Sequence, residues 1–227
     1  SKDVKPIELK DRYINGLLDT QRLKETDLEE LQINLGSYGF AGQIMQIPSP
    51  ADGGLWKKYF ISVPDSEFPS DLKLYGTDWD LAYTANEINS ASAYVTAGMH
   101  DKKMYIDKIG FDWLEFPKLI PYMKAQPSPH YIEGKASGKS AKQVLTNSGI
   151  PAIEIQVTGG DKIARATMAT PYAESGMIYC RESLLNKLYN DSKQGILVFP
   201  NGEGDDMQDA LVQSINRLLA QPKVFFF

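Results

Sequence analysis

The sequence is poor in the residues that most often carry redox or zinc chemistry. Among 227 residues there is one cysteine and there are two histidines. Cys180 therefore cannot form an internal disulfide, which fits a reducing cytoplasm. It sits in the apolar run GMIYC, the setting of a buried, inert thiol rather than of a nucleophile. His100 and His130 are too few for most zinc sites with one cysteine beside them. They also leave little room for histidine-based hydrolysis, and each reads as a surface or strand-end residue. No apolar run approaches the roughly 20 residues that a bilayer span needs. No basic, apolar leader opens the sequence. Positive charge is in deficit: 24 Lys and Arg face 29 Asp and Glu, a net −5. That argues against a chain coated for nucleic acid, but not against a local basic patch.

What is present suits a globular α/β protein. Hydrophobic residues make up 42% of the chain, enough for a sizeable core. TDLEELQINLG reads as a helix with a capping box from Thr26 to Glu29, closed by Gly36. YGFAGQIMQIPSPADGG and VPDSEFPSD read as connector and loop. LKLYGTD, SASAYVTAGM and KKMYIDKIGF read as three strands, the last two joined at His100–Asp101–Lys102. Short links between them predict an antiparallel meander. Strand and helix then alternate. WLEFPKLIPYMKAQ, SGKSAKQVLTNSG, DKIARATMATPYAESG and ESLLNKLYND read as helices. HYIEG, IPAIEIQV, GMIYC and GILVFP read as strands. In DDMQDALVQSINRLLAQ, Met207, Leu211, Ile215, Leu218 and Leu219 form one apolar stripe. The closing KVFFF is apolar and has no assigned role. Trp56, Trp79 and Trp113 read as core or connector packing. The expected architecture is an α/β mixed sheet, antiparallel in its first three strands and then parallel, with helices on both faces.

IEGKASGKSA, residues 132–141, looks like a phosphate-binding P-loop and fails as one. Gly134 and Gly138 enclose three residues where G-x-x-x-x-G-K-[ST] needs four. No apolar strand ending in Asp-Glu follows it. The segment reads better as a strand-end acid, Glu133, followed by a basic turn and a helix start.

Acids stand at three such places. Asp78 ends LKLYGTD, with Asp80 two residues on. Glu133 ends HYIE, and Asp205 and Asp206 open the last helix one turn before Asp209. Alone, each is as well explained as a turn former or helix cap. Together, an Asp on the first meander strand, an acid on the fourth strand and an acid on a late helix match the layout of ribonuclease H-like nucleases. Their hard oxygen ligands suit Mg²⁺ or Mn²⁺. Two such ions about 4 Å apart hydrolyse phosphodiesters without a histidine base.

Four ordered segments then resemble the C-terminal nuclease domain of the large terminase subunit of tailed bacteriophages. They are YGTDWDLAYTANEINSASAYVTAG, HYIEGKASGKSAKQVL, DKIARATMATPYAESGMIY and VFPNGEGDDMQDALVQSINRL. The stretch LGSYGFAGQIMQIPSPADGGLWKKYF is similar to the family's join between motor and nuclease. The resemblance implies a ribonuclease H-like, metal-dependent DNA endonuclease that cuts concatemeric viral DNA during packaging, with little sequence preference. It implies two divalent cations, Mg²⁺ or Mn²⁺, bound by Asp78, Glu133 and the Asp205–Asp206 pair, with Asp209 a further candidate. Either member of that pair could be the direct ligand. Many members carry a histidine just before the double Asp, where this chain has Gly204. Residues 1–70 would be a helical and connecting segment from an ATPase motor, and 71–227 the nuclease. No Walker motif is present, so no ATPase activity is expected of this chain.

The basic residues near these acids, Lys135, Lys139, Lys142, Lys162 and Arg165, read either as a solvated helix face or as a rim that holds DNA phosphates. Expected partners are double-stranded DNA and, for the full subunit, the portal protein and small terminase subunit, in the host cytoplasm and with no membrane. Rival readings are a junction resolvase or hybrid nuclease, and a non-catalytic DNA-binding packaging module.

Overall fold

The computed structural model describes residues 7–14, 17, 19, 22, 24–45, 54–82, 91–134, 141–156 and 160–220. Lys135, Lys139 and the closing KVFFF lie outside them. The chain divides into two compact units, Ser1–Pro50 and Ala51–Phe227. In the first, helix α1 (Glu25–Gln43) starts where the Lys24 amide donates to Asp27 Oδ2 at 2.9 Å, so the expected Thr26–Glu29 box is not its cap. Gly36 does not end this helix. Its φ of 64° makes a kink, and helix resumes beyond it.

The second unit is built on a seven-stranded sheet in the order β1-β7-β4-β3-β2-β5-β6. The strands are β1 (Ile61–Val63), β2 (Lys73–Asp80), β3 (Ser92–His100), β4 (Lys103–Asp112), β5 (His130–Glu133), β6 (Ala152–Ile155) and β7 (Ile178–Arg181). β2, β3 and β4 form the expected antiparallel meander, and the other pairings are parallel. Asp101 and Lys102 turn the β3–β4 hairpin with φ of 46° and 63°, the left-handed pair that tight hairpins use. No strand is expected from the sequence at β1, whose last residue, Val63, opens the segment VPDSEFPSD read as loop. β1 is three residues long, too short for a two-residue alternation to be visible, and among the described residues it pairs with β7 alone. GILVFP, expected to be a strand, instead holds a short 3-10 helix at Ile196–Val198. Ile196 and Phe199 of this run are buried and Val198 is half exposed, a pattern that a short apolar run does not reveal.

Strand alternation sorts the β2 side chains. Trp79 points to the face covered by α2 (Phe116–Lys124) and α3 (Ala141–Asn147), where it packs with Tyr94, Leu119, Met123, Ile132 and Leu145. Pro117 is tolerated in the first turn of α2, where no amide partner is lost. His130 is on the same side. It is buried rather than superficial, and its Nδ1 accepts the Trp79 indole N–H at 3.1 Å. Cys180 is fully buried, and burial pushes its thiol up to about 12. Trp56 is buried too, whereas Trp113 is 41% exposed with the Lys193 ammonium over its ring.

The opposite face carries Asp78 and Asp80. It is crossed by α6 (Asp206–Ile215), which packs on β2, β3 and β4, with α4 (Lys162–Glu174) against α6. Met207, Leu211, Ile215 and Leu218 are buried, as their spacing predicts. Helix α5 (Glu182–Asn190) covers β7. The last turn, Asn216–Ala220, widens into a π-helix. Among the described residues no helix is long and apolar enough to cross a membrane.

Candidate functional site

β2 and β5 are parallel neighbours, with Asp78 opposite Tyr131 and Trp79 opposite Ile132. Asp80 and Glu133 come next along the two strands, each the last residue of its strand. At the other end of this pairing Gly76 lets the strands approach: a Cβ would meet the Tyr131 ring at 2.7 Å and the Pro129 carbonyl oxygen at 2.8 Å. Asp80 and Glu133 line a cavity of about 510 Å³ at the carboxyl ends of the strands, the usual place for chemistry in α/β sheets. α4 and α6 supply the other walls, including Arg165, Tyr172, Asp209, Gln213 and Arg217.

Asp78 was expected to face this cavity and is not among its lining residues. It is fully buried, and Arg217 closes over it. Arg217 Nη2 donates to Asp78 Oδ2 at 2.7 Å, and Nε lies 3.0 Å from Oδ2 and 3.1 Å from Oδ1. Arg217 Nη1 also donates to the Leu74 carbonyl at 2.9 Å, and its guanidinium lies 4.2 Å from the centre of the Tyr131 ring. Gln213 Nε2 adds a contact of 3.4 Å to Asp78 Oδ1 and one of 3.2 Å to the Tyr131 carbonyl. Burial pushes the Asp78 carboxyl up from the ordinary carboxylate range, against the pull of Arg217. Arg217 is the residue that sequence reasoning missed. Its signal was weak: one arginine inside the apolar stripe of the last helix.

The acids of α6 divide in the same way. Asp206 is buried and accepts from Gln194 Nε2 at 2.6 Å and from the Ala91 amide at 3.2 Å. Gln194 Oε1 in turn accepts the Met207 amide at 3.2 Å. Burial raises the Asp206 carboxyl, opposed by the Gln194 bond. Gly204 is packed against this arrangement. A Cβ there would meet Gln194 Nε2 at 2.4 Å, so Gln194 fills the space a larger residue at 204 would need. Asp209, one turn on, lines the cavity at 10% side-chain exposure. Lys162 Nζ lies 2.8 Å from Asp209 Oδ2 and 2.7 Å from Asp205 Oδ1, bridging the two carboxylates. Arg165 Nη2 stands 3.9 Å from Asp209 Oδ1. Burial raises the Asp209 carboxyl, with Lys162 pulling it down. Burial by itself would lower the Lys162 ammonium, but the two carboxylates more than reverse that and hold it charged.

The expected basic rim thus divides. Lys142 is exposed on α3, Arg165 reaches the cavity wall, and Lys162 is spent on carboxylates. Among the described residues no three His, Cys, Asp or Glu side chains converge into a metal cage. The donor chemistry nonetheless suits a hard divalent cation: carboxylates from a strand pair and a helix open on one cavity, with protein cations already drawn to the helix acids.

No family profile matches the sequence. No curated protein matches it either. Solved structures do. A large terminase from a thermophilic bacteriophage matches over 94% of this chain and 59% of its own, at 14% identity and a TM-score of 0.57. The large terminase nuclease from the thermophilic phage G20c, solved with bound cobalt, matches over 74% of this chain and 99% of its own, at 14% identity and a TM-score of 0.50. The P22 large terminase nuclease domain matches over 74% and 93%, at 13% identity and a TM-score of 0.50. The chain therefore spans little more than half the length of the first of these proteins. Sheet order, flanking helices and these likenesses define the class: a ribonuclease H-like α/β fold. Within that class, the chain carries the fold of the phage large-terminase nuclease domain.

Proposed function

We propose that this protein is a metal-dependent endodeoxyribonuclease that cuts concatemeric viral DNA during genome packaging. The observation that carries the reading is that Asp80 and Glu133, at the ends of two parallel strands, line one cavity with Asp209. Asp80 takes the part the sequence suggested for Asp78, and Asp209 the part suggested for Asp205 or Asp206. Together with Glu133 they would hold Mg²⁺ or Mn²⁺, with Asp205 adjacent. The G20c nuclease solved with cobalt, and again with magnesium, supports divalent metal use. Bound cations would supply the positive charge that phosphodiester hydrolysis requires.

The chain's own residues do the rest. Asp80 and Glu133 orient the cations from a rigid sheet. Arg165 at the wall and Lys142 on α3 hold the DNA backbone, joined by Lys135 and Lys139. Such contacts position DNA without reading its sequence. Residues 1–70 would join this nuclease to a motor, and no ATP hydrolysis is expected here. The portal protein, the small terminase subunit and the host cytoplasm complete the reading.

Incubation of supercoiled plasmid with Mn²⁺ or Mg²⁺ tests it. Nicking and linearisation are expected, abolished by EDTA and by Asp80→Asn. Cleavage that survives either would overturn the metal mechanism. Comparing duplex, four-way junction and RNA–DNA hybrid substrates separates a packaging nuclease from a resolvase or a hybrid nuclease.

A further inference from the structure

Phe111 stands in the same row of the sheet as Asp80: Asp80 pairs with Ala93 of β3, and Ala93 with Phe111 of β4. Paired side chains share a face, so Phe111 lies on the α6 side, two strands or roughly 10 Å from Asp80 along the edge that carries the cavity. A chain of contacts runs outward from it. The Lys187 ammonium, on α5, sits 4.9 Å from the centre of the Phe111 ring. Phe111 meets Trp113 edge to face at 5.6 Å, and the Lys193 ammonium sits 4.7 Å from the centre of the Trp113 ring. Both lysines are exposed, as is Trp113. Among the described residues neither ammonium is in an ion pair, whereas Lys162, Arg165, Arg181 and Arg217 each are. The acids one and two residues from Trp113 and Lys193 are turned to backbone. Asp112 Oδ1 accepts the Trp113 amide at 2.8 Å, and Asp191 Oδ1 accepts the amides of Lys193 and Gln194 at 2.9 and 3.1 Å.

We propose that Lys187 and Lys193, seated on the Phe111–Trp113 pair, grip the phosphate backbone of duplex DNA lying across the carboxyl edge of the sheet. This rests on the nuclease reading above, but on no metal ion. The ring faces attract the two ammoniums and restrict their motion without neutralising them. Phosphates can then replace water at both, releasing the counterions of the DNA. The sheet order β4-β3-β2-β5-β6 sets this patch on one side of the cavity and Lys142, on α3 over β6, on the other. Cations on both sides fix the duplex along the edge, and they do so without reading its sequence. Phe111 and Trp113 are positioning residues, acting through the lysines they carry.

Fluorescence anisotropy of a short labelled duplex, titrated with the whole chain in EDTA from about 50 to 200 mM salt, tests this apart from metal and cleavage. Lys187→Gln with Lys193→Gln should weaken binding by roughly tenfold or more at the low-salt end. It should also flatten the slope of log affinity against log salt by about 1.8, two phosphates at about 0.9 each. Lys187→Arg with Lys193→Arg should keep the slope. Trp113→Ala should lose part of it, and Trp113→Phe should recover it. Lys102→Gln with Lys124→Gln makes the same change of charge toward the opposite edge of the sheet and should leave the slope as it is. Circular dichroism melts check folding, and the lysine variants decide the matter if Trp113→Ala is unfolded. An unchanged slope in the Lys187 and Lys193 variant, or an equal loss in the Lys102 and Lys124 variant, overturns the proposal alone. A wild type that binds no duplex removes the nuclease reading beneath it.

Discussion

Asp78 and Asp80 lie on one face of one strand, two residues apart, in different surroundings. Asp78 is sealed under α6 with a guanidinium on its carboxylate, and Asp80 lines the cavity where the strand ends. α6 repeats the contrast, with Asp206 sealed by Gln194 and the Ala91 amide and Asp209 on the cavity wall. The difference teaches that an acid's role follows from what covers it. A carboxylate in a closed space needs fixed partners to remain there, whereas one at an opening can exchange them.

The sharpest way to break the contrast is to unseal Asp78. Arg217→Met leaves a buried carboxylate without its counter-charge and is expected to destabilise the domain by about 3–5 kcal/mol, read from urea unfolding. Asp78→Leu combined with Arg217→Met should recover most of that loss, because no charge is then left buried. Asp80→Asn should do the reverse, lowering Mn²⁺-dependent plasmid cleavage by roughly a hundredfold or more while leaving the fold intact. Loss of stability comparable to that of Arg217→Met would erase the distinction between the two aspartates. Gln194→Ala should cost about 1–3 kcal/mol by stripping Asp206 of its side-chain donor.

The smallest effect belongs to a sealed group on the other face. Burial lowers the His130 pKa, so the folded protein binds that proton less readily than the unfolded chain does. Stability is then full above the ordinary histidine value of about 6.5 and declines as pH falls below it. His130→Gln should flatten the dependence between about pH 7 and 5, measured as unfolding midpoints across that range.

Much of the fold was legible because its elements are long and periodic. The β2–β4 meander and the apolar stripe of α6 follow from alternation and helical spacing. β1 escaped because three residues carry no period, and Ile196–Val198 misled because a short apolar run carries no period that tells strand from helix. Of the candidate site residues, the structure places Glu133 and Asp209 on one cavity and Asp78 beneath Arg217. Glu133 was placed at a strand end, as the structure has it. Alternation puts Asp78 and Asp80 on the same face and cannot separate them. Only the pairing of β2 with β5, and an arginine 139 positions away, decides which is covered. One local sign was available: Asp80, like Glu133, is the final residue of its strand.

The closure of Arg217 over Asp78 has a bearing on how this sequence can drift. Neither position can lose its charge alone without leaving the other stranded in the interior. Positions 78 and 217 are therefore expected to tolerate substitution only as a pair, charged together or apolar together. Helix length ahead of Arg217 adds a second tie, because deleting one residue between Asp206 and Asn216 would swing the arginine about 100° around the helix axis. Length in this last helix is thus constrained as tightly as composition.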